Sequence, residues 1–188
     1  MLGSRGYEEA KQKIKTALAR NAADALPPDE VGYYVDVLQG RLKQVAGKQV
    51  GIVVGRQGND VILDLSSRLD FDAGSARITP GITDVLAPIV KVLAEYRMML
   101  VAVNASPDIT GDAPVDSRLA EQRGINLARH LAGAGVAPGR IVVAGSAAGR
   151  TSEAVPRSDA RTHIELHLEP IVRAAADAGT RTPSPASH

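Results

Sequence analysis

MLVAVNASPDITGDAPVDSRLAEQRGINLARHLAGAGVAPGRIVVA, from Met99 to Ala144, is the stretch that decides the fold. It opens on an apolar run, Met99 to Val103, and passes through a loop containing Pro107, Gly111 and Pro114. A helix is expected from about Ser117 to Ala132, with Leu119, Leu127 and Leu131 on one side. Gly133-Ala134-Gly135-Val136 ends it, and Ile141 to Ala144 supplies a second apolar run. A short apolar run, a helical repeat and another short run make a strand–helix–strand unit.

The flanks extend that unit in both directions. Val50 to Val54 and Val61 to Leu65 read as strands joined by Arg56-Gln57-Gly58-Asn59, a turn-rich tetrad that predicts a hairpin. Leu69 to Ala76 reads as a short strand opening into a loop. Thr79 followed by Pro80 marks a helix start, hydroxyl cap first and proline in the first turn. Leu86, Ile89, Val90 and Leu93 give that helix a buried stripe, and Pro88 inside it predicts a kink. Near the end, Ile164, Leu166 and Leu168 alternate with His163, Glu165 and His167, a strand with one dry face and one wet face. The expected fold class is α/β: a two-layer sandwich with a mixed β-sheet, a βαβαβ-type core and an N-terminal hairpin, preceded by α-helices.

Those leading helices differ from each other. Residues 1 to about 26 are charged and Ala-rich and read as a polar helix with little to bury, ended by Pro27 and Pro28. Asp29 is placed to cap a second helix reaching about Val45, with Val31, Tyr34, Val35, Leu38 and Leu42 as its apolar stripe. The chain therefore divides into a helical extension (1–48), a main domain (49–169) and a tail (170–188) whose Ala, Thr, Pro and Ser content predicts disorder.

Composition narrows the function. One Phe, four Tyr and no Trp among 188 residues leave the core to aliphatic side chains and provide no aromatic platform for stacking bases. A net charge of +1 with interleaved signs gives no basic footprint for nucleic acid. The absence of cysteine removes thiolate metal sites, cysteine nucleophiles and disulfides, and suits cytoplasm or periplasm equally. No stretch approaches the roughly 18 apolar residues of a spanning helix. Met1 to Tyr7 has no apolar signal core, so either the protein is cytoplasmic or a signal and any lipid-bearing cysteine lie upstream, and composition does not choose between them.

Two segments carry a family likeness: Asn104-Ala105-Ser106-Pro107-Asp108-Ile109-Thr110-Gly111, and then Asp116-Ser117-Arg118-Leu119-Ala120-Glu121-Gln122-Arg123. Together they resemble the signature of the OmpA-like domain family, G-H-T-D-x-x-G followed by N-x-x-L-S-x-x-R-A. Asp108, Gly111, Leu119 and Arg123 fall on the family's Asp, Gly, Leu and Arg. Phe71 to Ala76 resembles its F-x-x-x-S-A segment, and Gly135 to Ile141 its G-V-x-x-x-R-I segment, so the likeness spans about residues 50–169. The GYYVDVLQGRLKQ stretch before the hairpin looks most like the family's YiaD-type lipoprotein branch. The chain departs from the pattern at Ser106-Pro107, where the family has His-Thr, and at Asp116, where it has Asn. The closing N-R-R-V-E-I becomes Arg161-Thr162-His163-Ile164-Glu165-Leu166.

This resemblance implies a periplasmic, outer-membrane-associated protein that binds peptidoglycan noncovalently, with membrane attachment only through an upstream anchor. Its site would comprise Asp108, Arg123, Thr110, Gly111 and Asp116, gripping the diaminopimelate of the stem peptide. A carboxylate such as Asp108 complements an ammonium, and a guanidinium such as Arg123 receives a carboxylate in a charge-assisted fork. The helix start near Asp116 and Ser117 adds unpaired N–H groups. The bland alternative has Asp108 capping a turn and Arg123 as a surface base. A second alternative keeps the fold but makes a degenerate domain into an assembly module of a secretion or motility complex, docking through residues 29–45.

No catalytic set emerges, and neither a metal nor a cofactor is expected. His163 and His167 share one face of a strand about 13 Å apart, too far for a ligand pair. Gly145 to Arg150 lacks the Gly-Lys-Ser/Thr ending of a phosphate cradle. Asp70 and Asp72 alternate on the short strand without an evident partner, and Ser66, Ser67 and Ser146 lack a nucleophile elbow.

Overall fold

The computed structural model describes residues 4–21, 23–49, 51–65, 69, 71–106, 113–144 and 163–173. Its elements, in chain order, are α1 (Ser4–Ala19), α2 (Val31–Ala46), β1 (Val53–Gln57), β2 (Asp60–Asp64), α3 (Pro80–Glu95), β3 (Met99–Ser106), α4 (Ala113–Gly133), β4 (Ile141–Ala144) and β5 (His163–Pro170). A short 3-10 turn, Pro138–Arg140, leads into β4.

The five strands form one sheet in the order β1-β2-β5-β3-β4. Only β3 and β4 run parallel, as a crossover through α4 requires. The hairpin is tighter than the tetrad suggested. Gln57 pairs with Asp60, leaving Gly58 and Asn59 as a two-residue loop, and Gly58 takes the positive φ of 60° that such turns demand. Arg56 braces the turn, donating from Nε to the Gly58 carbonyl at 2.7 Å and pairing with Asp36 of α2.

Alternation along β5 sends Ile164, Leu166 and Leu168 into the main core, where they meet Val61 and Leu63 of β2 and Val101, Val103 and Ala105 of β3. The helices α2, α3 and α4 cover that face. The α2 stripe expected from sequence is there: Val31, Val35, Leu38 and Leu42 are at most 5% exposed. It is packed into the main core and not left open. Glu30, with no side-chain bond, occupies the position before α2, so the Asp29 cap is not made. Thr79 caps α3 as expected, its hydroxyl accepting from the Ile82 N–H at 3.3 Å, and the helix runs on through Pro88.

Three further expectations are corrected. The segment around Phe71 to Ala76 is turn and irregular chain, so Asp72 lies on no strand; Asp70 is outside the described residues. The first helix does bury something. Tyr7 is 8% exposed, and Ile14, Leu18 and Ala19 pack with it on Leu100, Ala102, Val142 and Ala144, on the opposite face of the sheet. A polar helix can attach this way because Lys11 and Lys15 reach Glu169 of β5 at 2.7 and 3.1 Å. The chain also stays ordered beyond residue 169: β5 runs to Pro170, and Val172 bridges to Leu26.

Arg140 holds the corner between α3 and β3. It is 4% exposed, and its guanidinium donates to the carbonyls of Leu93, Tyr96, Arg97 and Met99 at 3.0, 3.1, 2.8 and 2.9 Å. Leu93 and Tyr96 are at the C-terminus of α3, where carbonyls are left unpaired and a cation is favoured by the helix dipole, and Arg97 and Met99 lead into β3. Arg140→Ala should cost about 2–4 kcal/mol in urea unfolding, because it strands buried carbonyls.

Burial alone would raise the Glu169 carboxyl, but hydrogen bonds from Lys11 and Lys15 and their charges hold it below its ordinary value. A depressed carboxyl stabilises the fold above the unfolded-state pKa, and that contribution disappears as pH falls through the folded-state value. Thermal melts between pH 7 and pH 3 should therefore fall less steeply below about pH 4.5 for Glu169→Gln than for the unaltered chain.

Candidate functional site

The helix α4 begins earlier than its sequence suggested, at Ala113. Its unpaired N–H groups therefore lie next in sequence to the Asp108–Gly111 segment, and Asp116 falls inside the first turn. Asp108, Thr110 and Gly111 themselves are outside the described residues, as is the Gly145–Arg150 stretch.

Asp116 and Arg123 are seven residues apart, two turns of helix, and so share one face. Both are buried, at 6% and 4% exposure. The reading of Arg123 as a surface base is thereby excluded. Its Nε donates to the Ser75 carbonyl at 2.9 Å and its Nη2 to the Asp72 carbonyl at 3.4 Å. The guanidinium lies over the Phe71 ring, 4.9 Å from its centroid. A charge this far from water needs dipoles or counter-charges around it, and here carbonyl oxygens and an aromatic face contribute. Three residues further along α4, Asn126 donates to the Ala76 carbonyl at 2.7 Å. The irregular 71–76 segment is thus fastened to α4 by side chains, since it has no sheet ladder of its own.

Sequence reasoning named Arg123 and named the Phe71–Ala76 segment, but did not join them. The missing signal is tertiary: bonds to backbone carbonyls leave no residue preference at positions 72 and 75. A small clue was available in Gly124. A Cβ there would stand 3.2 Å from Val143 Cγ1 and 3.4 Å from Ala105 Cβ, so α4 approaches β3 and β4 closely at this point. The close approach fixes the height at which Arg123 enters the loop. Gly124→Ala gains about 1 kcal/mol of helix propensity, against crowding of similar size, and should be nearly neutral. Gly124→Val should lose about 1–3 kcal/mol in chemical denaturation.

Among the described residues no helix is long and apolar enough to cross a membrane.

No protein-family model matches the chain. Among curated proteins it is similar to "Probable lipoprotein YiaD" of Escherichia coli (strain K12), with 34% identity over 111 residues, 59% of this chain and 50% of the relative. The chain thus matches about half the length of that curated relative. Among solved structures, a putative MotB-like protein from Desulfovibrio vulgaris superimposes with a TM-score of 0.59 at 18% identity, covering 89% of this chain and 98% of the other. The cell wall anchor of the T6SS from Pseudomonas aeruginosa gives 0.56 at 15% identity, covering 70% and 99%. The periplasmic domain of Helicobacter pylori MotB (residues 90–256) gives 0.55 at 22% identity, covering 67% and 83%. At these identities the structural likeness speaks for the fold: a mixed sheet clad with helices.

Proposed function

We propose, from its likeness to the YiaD lipoprotein and to MotB-like folds, that the chain is an OmpA-like domain that binds peptidoglycan noncovalently and anchors an envelope structure to the cell wall. In this reading it works in the periplasm, associated with the outer membrane, and does no chemistry of its own. The reading is in keeping with what two similar proteins are described as, one a probable lipoprotein and one, alike in fold, a cell wall anchor. The ligand is the diaminopimelate of the stem peptide, read by opposite charges: Asp108 on the ammonium, Arg123 on the carboxylate. Thr110, Gly111 and the first turn of α4, with Asp116, complete the site.

The observation that carries this reading is the buried, braced guanidinium of Arg123, two turns along α4 from Asp116. An exposed arginine would sample many rotamers and bind a carboxylate weakly. Arg123, seated on Phe71 and on the Ser75 and Asp72 carbonyls, is preorganised. The assembly-module reading cannot use the apolar stripe of residues 31–42, which is packed into the core; Tyr33 and Val37 are the large apolar side chains that α2 exposes.

Sedimentation with purified sacculi tests the proposal. The unaltered chain should pellet with diaminopimelate-containing sacculi at moderate salt, while Asp108→Ala should weaken retention about tenfold or more, the loss of one charge-assisted contact. Arg123→Lys keeps the charge but loses the fork, and should weaken it too, with circular dichroism and a melt certifying the fold. A wild-type chain that stays in the supernatant would sink the proposal. Equal retention on sacculi that carry lysine in place of diaminopimelate would remove the ligand assignment.

A further inference from the structure

The sheet face covered by α1 turns polar along β5. Alternation sends His163, Glu165, His167 and Glu169 to that side, opposite the main core. Strand register then sets Asp64 of β2 and Asn104 of β3 on either side of Glu165. Cross-strand neighbours on one face have Cβ atoms about 5 Å apart, close enough for their side chains to converge.

Glu165 is held from both ends. His163 Nε2 lies 2.9 Å from its Oε1 and His167 Nε2 lies 2.8 Å from its Oε2. The two histidines that seemed too far apart to cooperate are thus linked by the carboxylate between them. Asp64, His163 and Glu165 each bring one donor atom into a group whose atoms all lie within 4.8 Å of one another. Beside Glu165, Asn104 Oδ1 is buried and has no hydrogen-bond partner among the described residues. Beyond His167 and Asn104, a cleft of about 340 Å³ opens beneath α1.

We propose that Asp64, His163 and Glu165 form a binding site for a divalent transition-metal ion, zinc foremost. The donor set is the first reason. Imidazole and carboxylate suit zinc, which binds them at about 2.0–2.2 Å, and do not require thiolates. Charge is the second: two carboxylates offset a dication, and a neutral imidazole supplies the third ligand. Access is the third, because the His163 side chain is 36% exposed and Glu165 15%, which leaves a path from solvent without full hydration. Rotation of the side chains draws the three donors inward to bonding distance. His163 exchanges its contact with Glu165 for the metal, while His167 keeps the other oxygen of Glu165 and fixes that ligand's orientation. Asp64 and His163 also engage other groups, with which the ion competes. Three protein ligands leave a fourth position for water. Since Asp64 ends β2 and His163 begins β5, the bound ion fastens the hairpin to the middle of the sheet.

The test uses the full chain after chelator treatment, titrated with zinc sulfate by calorimetry and followed by thermal melts. One equivalent should bind and raise the melting temperature. Both effects should vanish in His163→Ala and in Asp64→Asn, and persist in His130→Ala and His188→Ala. His167→Gln should weaken binding by about 10–100-fold, the usual cost of losing a partner that orients a ligand. Cobalt in place of zinc should give the intense visible bands of a low-coordinate site in the unaltered chain, a readout that needs no variant to fold. Absence of zinc uptake, absence of those bands, or uptake that survives both His163→Ala and Asp64→Asn would each overturn the proposal.

Discussion

The last strand in the sequence occupies the centre of the sheet, and the rest of the structure depends on that placement. β5 pairs with β2 on one side and β3 on the other. It inserts Ile164, Leu166 and Leu168 into the main core and turns Glu169 toward α1. Until it arrives, the β1–β2 hairpin and the β3–α4–β4 unit are separate half-sheets with open edges, an arrangement prone to wrong pairing. Its contacts are therefore long-range, and their closure entropy is spent before any stabilisation returns. The residues that follow continue the theme: Leu26 donates to the Ile171 carbonyl at 2.8 Å, and Arg173 donates to the Leu26 carbonyl at 2.9 Å. The connection between α1 and α2 is thus fastened to the chain that follows β5.

Two buried arginines solve similar problems by similar means. Arg140 gathers the carbonyls at the end of α3, and Arg123 gathers those of the irregular segment before it. In both places the backbone lacks a regular partner, and a planar fork supplies several donors at once. The difference lies in what surrounds the charge. Arg140 is enclosed by helix end and strand start. Arg123 stands on the helix that opens after the Asp108–Gly111 segment, and an aromatic ring carries one of its faces. That distinction is what makes one a structural clamp and the other a candidate for ligand contact.

Much of the fold was legible because its signals are local. The strand alternation of β5, the Thr79-Pro80 start of α3 and the hairpin around Gly58 each depend on neighbours a few residues away. What could not be read depends on distant partners. The α1 sequence reads as solvated because its few apolar residues, Tyr7, Ile14 and Leu18, are diluted by charge; only the sheet reveals that Glu169 awaits Lys11 and Lys15. Likewise the spacing of His163 and His167 gave no hint that Glu165 would join them. Of the candidate site, Arg123 and Asp116 were legible through family likeness. Their burial was not, because an arginine in a helix looks the same from sequence whether water or carbonyls surround it.

The attachment of α1 has a mechanical consequence. Its ion pairs land on Glu169 of the central strand, and its apolar contacts land on β3 and β4. A load applied through α1 is therefore shared between the central strand, through the ion pairs, and the edge strand β4, through the apolar contacts. Because α1 joins the sheet by side chains and adds no strand to it, lifting α1 breaks ion pairs and apolar contacts but no ladder hydrogen bond.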